Sequence, residues 1–206
     1  MSATVTPLNF QPQSLPEDEA RAGYYALLAR LFYAGPDAQL LQAIAGSDDI
    51  VADGGALAGP WNTLAAAARA MDPEAARLEY DEVFVGTGKA EVTPYAAFYL
   101  AETGREKILV RLRQDLASLG LGKTGPAQEP EDHMAGLFEV MRHLISQGSD
   151  DAALQKQRDF FGRYIERSFE PFCSAISKSE KANFYKPVGH FVRAFLVVET
   201  EGLKVF

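Results

Sequence analysis

The apolar residues of this chain recur at helical spacing along most of its length. In the first such stretch, Leu27, Leu28 and Leu31 follow Tyr24 at the i, i+3, i+4 and i+7 positions of one helix face. Alanine occurs 31 times and leucine 21 times, whereas valine and isoleucine together occur only 18 times. Because strong helix formers outnumber the β-branched residues that favour strands, the sequence predicts an all-α fold.

Punctuating residues divide this pattern into separate helices. Gly35-Pro36 ends the first helix, and Asp72-Pro73 begins another, with Asp as the N-cap and Pro at the first helical position. We therefore predict a single compact bundle of about nine or ten helices over residues 14–206, preceded by a flexible arm over residues 1–13 and interrupted by a glycine-rich linker over residues 120–129. The predicted helices cover residues 15–34, 61–71, 73–85, 94–100, 103–119, 130–147, 150–165, 169–176 and 182–198, and Leu40, Leu41 and Ile44 mark a further short helix between the first two of these.

Charge and cysteine content exclude several classes of protein. Asp and Glu number 28 against 20 Lys and Arg, so the net charge of −8 argues against a nucleic-acid partner and favours a basic one. No run of 18 uncharged apolar residues predicts a membrane span, and the N-terminal segment lacks the features of a leader, so we expect a cytoplasmic protein. The single cysteine, Cys173, lies in an apolar helical segment and is expected to be a buried core thiol.

Motifs for catalysis or metal binding are weak. Residues 117–124 fit a relaxed phosphate-loop pattern, but an amphipathic helix rather than a strand precedes them. Glu129, Asp132 and His133 have the spacing of a metal or acid–base cluster, although acids after Pro130 are also typical of a first helical turn. We expect no catalytic residues, no metal and no cofactor, and therefore a binding protein rather than an enzyme.

Two segments combine acidic, aromatic and apolar residues at predicted helix ends. The first is YDEVFVG, residues 80–86, followed by TPYAAFY, residues 93–99. The second is EPEDHMAGLFEVM, residues 129–141. Such a mixture suits a basic peptide that carries an apolar stretch.

These segments resemble those of the TorD/DmsD/NarJ family of redox-enzyme maturation chaperones. The family pattern is roughly Y-x-x-L-F-x-G, then P-Y-x-S-x-Y, then E-P-x-D-H with Leu and Met following at helical spacing. The C-terminal segment ANFYKPVGHFVRAFLVVE is also similar to the family's ending. The resemblance spans about residues 20–200.

The resemblance implies an all-α cytoplasmic chaperone that binds the twin-arginine signal peptide of a molybdenum-containing oxidoreductase subunit. Such a chaperone holds the precursor of this catalytic subunit until its cofactor is inserted. A nucleotide-dependent enzyme that uses residues 117–124 and a structural adaptor of a redox complex remain as alternatives. The protein is expected to be a monomer, or a homodimer that exchanges helices through the 120–129 linker.

The same resemblance implies a set of peptide-binding residues. Acidic side chains accept guanidinium hydrogen bonds, with Asp132 and Glu129 or Glu131 as candidates, while Tyr80 and Phe84 share a helix face and line an apolar groove. Phe84 is also a candidate for the core, as are Leu137 and Met141. The full candidate set is Tyr80, Phe84, Gly86, Pro94, Tyr95, Tyr99, Glu129, Pro130, Asp132 and His133.

Overall fold

A computed structural model describes residues 16–51, 55–86, 89–122 and 130–205 of the chain. Ten α-helices form this described part, in which no β-strand occurs and the only β-type pairing is an isolated antiparallel bridge between Tyr95 and His133. The helices are α1 (Pro16–Tyr33), α2 (Ala38–Ala45), α3 (Ala58–Ala70), α4 (Pro73–Tyr80), α5 (Ala96–Leu100), α6 (Arg105–Ser118), α7 (Met134–Ser146), α8 (Asp151–Phe160), α9 (Glu166–Lys178) and α10 (Tyr185–Val205). The predicted all-α bundle is confirmed. The predicted arm over residues 1–13 and most of the 120–129 linker lie outside the described residues.

Two helices continue into single π-helical turns. One follows α4 at Asp81–Val85, and the other joins α8 to α9 at Phe161–Ile165. A short 3-10 turn, Gly55–Leu57, leads into α3. Each π turn inserts an extra residue into its helix, and such turns are frequent at functional sites.

The core is centred on the packing of α1 against α7, with aromatic side chains from several other segments around them. Phe32 on α1 contacts Phe84, Phe172 and Tyr185 at ring-centroid distances of 5.6, 5.2 and 6.0 Å. Such ring pairs add about 0.5–1.5 kcal/mol each beyond the burial of their area. Cys173 is buried, as expected, and burial raises the pKa of its thiol to about 12.

Two buried carboxylates tie distant helices together. Glu79 on α4 accepts the backbone N–H groups of Asn183, Phe184 and Tyr185 at 2.7, 3.0 and 2.8 Å, so it caps the start of α10. Glu199 on α10 accepts two hydrogen bonds from the Arg21 guanidinium on α1, at 2.7 and 3.0 Å. These bonds satisfy charges that would otherwise be costly to bury.

The predicted helix start at Pro130 is wrong. Residues 131 and 132 form a turn, and α7 begins only at Met134 with His133 as its N-cap. The predicted placement of Glu131 and Asp132 in a first helical turn therefore does not hold. Within the described parts of the chain, no helix is both long and apolar enough to cross a membrane.

Candidate functional site

An open groove of about 570 Å³ lies between the end of α4, the segment that leads into α5, and the first turns of α7. Most of its described lining is apolar or aromatic, and the ionisable side chains among the rest are two glutamates, two histidines and one arginine. Its lining residues are Tyr33, Tyr80, Phe84, Val85, Ala90, Thr93, Pro94, Tyr95, Leu116, Leu121, Gly122, Pro130, Glu131, His133, Ala135, Gly136, Glu139, Val140, Arg142 and His143.

The π turn after α4 positions one wall of the groove. It ends at Gly86, whose φ of 64° and ψ of 153° lie in a region that is essentially restricted to glycine. A Cβ atom at Gly86 would lie 2.4 Å from the Lys89 carbonyl oxygen, so the loop can turn this tightly only with glycine there. The turn leaves Phe84 buried against the core and Val85 on the surface, 59% exposed.

Backbone pairing between two distant segments forms the floor. The Met134 N–H donates to the Pro94 carbonyl oxygen at 2.8 Å, and the Ala96 N–H donates to the Asp132 carbonyl oxygen at 2.9 Å. The same pairing brings the Tyr95 and His133 rings into an edge-on contact with centroids 5.3 Å apart. The two segments that the sequence singled out therefore meet at one place.

Asp132 lies beneath this floor rather than in the groove. Its side chain is only 3% exposed, and its Oδ2 accepts the Ala97 N–H at 2.9 Å in the first turn of α5. Burial raises the pKa of the Asp132 carboxyl, while the hydrogen bond from Ala97 favours the charged form. In this geometry the Asp132 carboxylate holds α5 against the floor. It is buried and does not line the groove, so it has no exposed oxygen there for a peptide guanidinium.

The raised pKa of Asp132 gives a pH-dependent prediction. A carboxyl with a raised folded-state pKa contributes fully to stability below its unfolded-state pKa, and that contribution is lost as the pH rises through the folded-state pKa. Asp132→Asn retains an oxygen to accept the Ala97 N–H but has no proton to lose. We therefore expect wild type to lose stability relative to the variant between about pH 4 and about pH 7, measured by urea unfolding. An identical difference in unfolding free energy at both pH values would contradict this.

His133 lies at the edge of the groove and caps α7. Its Nδ1 accepts the Ala135 N–H at 3.2 Å. This hydrogen bond assigns the proton of the neutral ring to Nε2. The neighbouring Glu131 also lines the groove, and its Oε1 lies 3.0 Å from the Arg113 Nε. Glu129 falls outside the described residues.

Six of the ten candidate residues line the groove. They are Tyr80, Phe84, Pro94, Tyr95, Pro130 and His133. Asp132 and Gly86 support it from beneath and from the side. Tyr99 does not line it, because its hydroxyl donates to the Thr93 carbonyl oxygen at 2.8 Å and its ring packs on Phe172. Leu137 and Met141 are buried in the core.

Sequence reasoning missed several groove residues. Tyr33 ends α1 and is 77% exposed. In the sequence it lies next to the apolar stripe of α1, and nothing marked it as more than the end of that helix. Glu139, Val140 and His143 lie on the open face of α7 and follow Gly136 at helical spacing. The signal that could have found them is Gly136 itself, a small residue in an otherwise large apolar run.

The phosphate-loop and metal-binding patterns of the sequence do not form a binding site among the described residues. The helix α6 runs to Ser118, so a helix and not a strand precedes the phosphate-loop pattern, and its Lys123 and Thr124 lie outside the described residues. Among the described residues, no three His, Cys, Asp or Glu side chains lie close enough to hold a metal ion.

Comparison with known proteins places the chain in a family. Residues 52–174 match the model of the nitrate reductase delta subunit family, which covers more than half of the chain. The chain belongs to the nitrate reductase delta subunit family. The matched region contains both segments that build the groove floor.

Individual relatives extend the similarity of this family member over nearly its whole length. Chaperone protein TorD of Shewanella loihica is 26% identical over 204 residues, which cover 91% of this chain and 95% of the relative. Chaperone protein TorD of Vibrio parahaemolyticus is 24% identical over 145 residues, covering 64% of this chain and 67% of the relative. A crystal structure from Archaeoglobus fulgidus, assigned as a redox enzyme maturation protein, has a TM-score of 0.53 at 24% identity and covers 94% of this chain and 98% of its own. The last comparison shows a shared fold.

Proposed function

We propose that this chain is a chaperone for the maturation of a molybdenum-containing oxidoreductase. It binds the twin-arginine signal peptide of the catalytic subunit and holds the precursor until the cofactor is inserted. The observation that carries the proposal is the groove of about 570 Å³, whose lining includes six of the residues that the sequence motifs nominated. Binding requires no bond to be made or broken, so the proposed role is not catalytic.

The apolar part of the groove suits the apolar stretch of a signal peptide. Tyr33 and Val85, which line it, expose large side chains to water. Exposed apolar surface does not stabilise the isolated chain and is typical of an interaction site. Covering this surface with a peptide would release about 25 cal/mol for each Å² of apolar area removed from water. Tyr80 and Phe84, four residues apart, form the deeper wall on which the peptide would rest.

The charge of the chain suits the basic start of the same peptide. The net charge is −8, and the described lining of the groove has two carboxylates, those of Glu131 and Glu139, against one arginine, Arg142. An acidic surface raises the local concentration of a basic ligand and speeds its association. Because the peptide is recognised before export, we expect the protein to act in the cytoplasm.

The names of the relatives agree with this role. The curated relatives of Shewanella loihica and Vibrio parahaemolyticus are both called chaperone protein TorD, and the first spans nearly the whole chain. Maturation of a redox enzyme is also the assignment of the Archaeoglobus fulgidus protein with the same fold.

Calorimetric titration with a synthetic twin-arginine signal peptide tests the proposal. We expect a Kd on the order of micromolar, and weaker binding as the salt concentration rises from about 0.05 M to about 0.5 M, because salt screens opposite charges. A scrambled peptide of the same composition is the control. Absence of binding, or equal binding of the scrambled peptide, would overturn the proposed function.

A further inference from the structure

A second cavity adjoins the groove across the side chain of Tyr33. Its volume is about 460 Å³, and it lies between the end of α1, the start of α2 and the first turns of α7. Four residues line both spaces, so the cavity and the groove are adjacent. These shared residues are Tyr33, Ala135, Gly136 and Glu139.

Tight local packing fixes the far wall of this second cavity. Gly35 lies so close to α4 that a Cβ atom there would be 2.8 Å from the Arg77 Cα, which only glycine allows. Asp37 then starts α2 by accepting the Leu40 N–H with its Oδ1 at 2.7 Å. The wall is thus held in place by the close contact of the α1–α2 turn with α4 and by the cap of α2.

Glu139 stands where the two spaces meet. Its side chain is 47% exposed, and its Oε2 accepts a hydrogen bond from the Arg142 Nε at 2.8 Å. Ion pairs between exposed side chains contribute little stability, because water solvates both partners well. An incoming guanidinium can therefore replace Arg142 at small cost. Glu131 is less available, since its side chain is only 14% exposed and is paired with Arg113.

Asp37 faces the same cavity from the opposite wall. Its side chain is 65% exposed, and its Oδ2 lies 3.7 Å from the nearest Arg30 nitrogen, which is too far for a hydrogen bond. One carboxylate on α7 and one on the α1–α2 turn therefore line the same space, together with Arg30, and this space adjoins the apolar groove.

We infer that the second cavity receives the paired arginines of the signal peptide, with Glu139 binding one guanidinium and Asp37 the other. This inference rests on the proposed function. Neighbouring side chains of an extended peptide point to opposite sides, so two adjacent arginines would reach the two walls. A guanidinium that replaces Arg142 can form a bidentate pair with Glu139, and a second can bind the Asp37 Oδ2 while the Asp37 Oδ1 keeps its bond to the Leu40 N–H. The apolar stretch then continues past Tyr33 into the groove.

Glu139→Gln tests this assignment by calorimetry with two peptides. We expect the variant to weaken binding of the twin-arginine peptide about tenfold, because it removes a charge-assisted hydrogen bond, and to change binding of a peptide with both arginines replaced by glutamine less than about twofold. The matched control is Glu170→Gln, since Glu170 is similarly exposed, pairs with Arg193 at 2.9 Å and lines neither space. Equal loss with both peptides would overturn the inference.

Two further variants sharpen the test. Arg142→Gln frees Glu139 and should tighten binding of the twin-arginine peptide, by about twofold, whereas a simple loss of a contact would weaken it. Asp37→Asn keeps the cap of α2, because asparagine caps as well as aspartate, and should weaken binding about tenfold. If wild type binds the twin-arginine peptide and both carboxylate variants bind it equally well, this assignment fails while the proposed function stands. If wild type itself does not bind, the proposed function fails.

Discussion

Replacing Glu79 with alanine is expected to lower the free energy of unfolding by about 3–5 kcal/mol. The Glu79 carboxylate is the shared acceptor for three consecutive backbone N–H groups at the start of α10. Two of these donors belong to Phe184 and Tyr185, which are buried, so water cannot replace the lost acceptor. The variant leaves a cavity and two unsatisfied donors at the place where α4 meets α10.

Thermal unfolding measures this effect. We expect Tm to fall on the order of 10 °C for Glu79→Ala and by less for Glu79→Gln, which keeps one acceptor oxygen. Glu74→Ala is the matched control on the same helix, since Glu74 is exposed and pairs with the exposed Arg77, and the Tm of this variant should stay close to that of wild type. Equal Tm values for Glu79→Ala and Glu74→Ala would show that the cap contributes nothing.

Replacing Gly136 with leucine is expected to abolish most of the signal-peptide binding without harming the fold. Gly136 lines both the groove and the second cavity, and a Cβ atom there would meet nothing closer than the Glu131 carbonyl oxygen at 3.7 Å. A leucine side chain would fill the passage between the two spaces. We expect the Kd to rise about 30-fold, which corresponds to about 2 kcal/mol of overpacking in the complex.

The same variant should be as stable as wild type or more stable, although it binds the peptide more weakly. Leucine is a better helix former than glycine by about 0.8 kcal/mol, so the free energy of unfolding should stay equal or rise. The control is Gly23→Leu on α1, where a Cβ atom would meet nothing within 4 Å and which lines neither space. It should share the gain in stability and leave the Kd unchanged. Unaltered binding by Gly136→Leu would argue that the peptide does not use this passage.

Local patterns in the sequence were enough to predict the helices. Asp72-Pro73 marks the start of α4, and Gly86 marks the end of the π turn that follows, because cap chemistry and positive φ depend on residues close in sequence. The extra residue of each π turn was not predictable, since the hydrophobic spacing around it still looks helical.

The environment of Asp132 depended on contacts that no local pattern contains. An acid after Pro130 looked like the first turn of a helix, but backbone pairing of Met134 with Pro94 and of Ala96 with Asp132 delays the helix and buries the carboxylate. Similarly, the residues of the groove come from segments that are distant in sequence, and only those inside the recognised motifs could be nominated. Glu139 and Tyr33 could be placed beside the motif residues only once the fold was known.

Site-specific photo-crosslinking tests the central claim, that the groove is where the signal peptide binds. A benzophenone side chain would replace Val85, which is exposed and lines the groove, and in a second variant Val110, which is 51% exposed on α6 and lies away from it. The account predicts that the twin-arginine peptide cross-links to position 85, that unlabelled peptide suppresses this product, and that position 110 gives no product. Equal cross-linking at both positions, or cross-linking at position 110 alone, would contradict it.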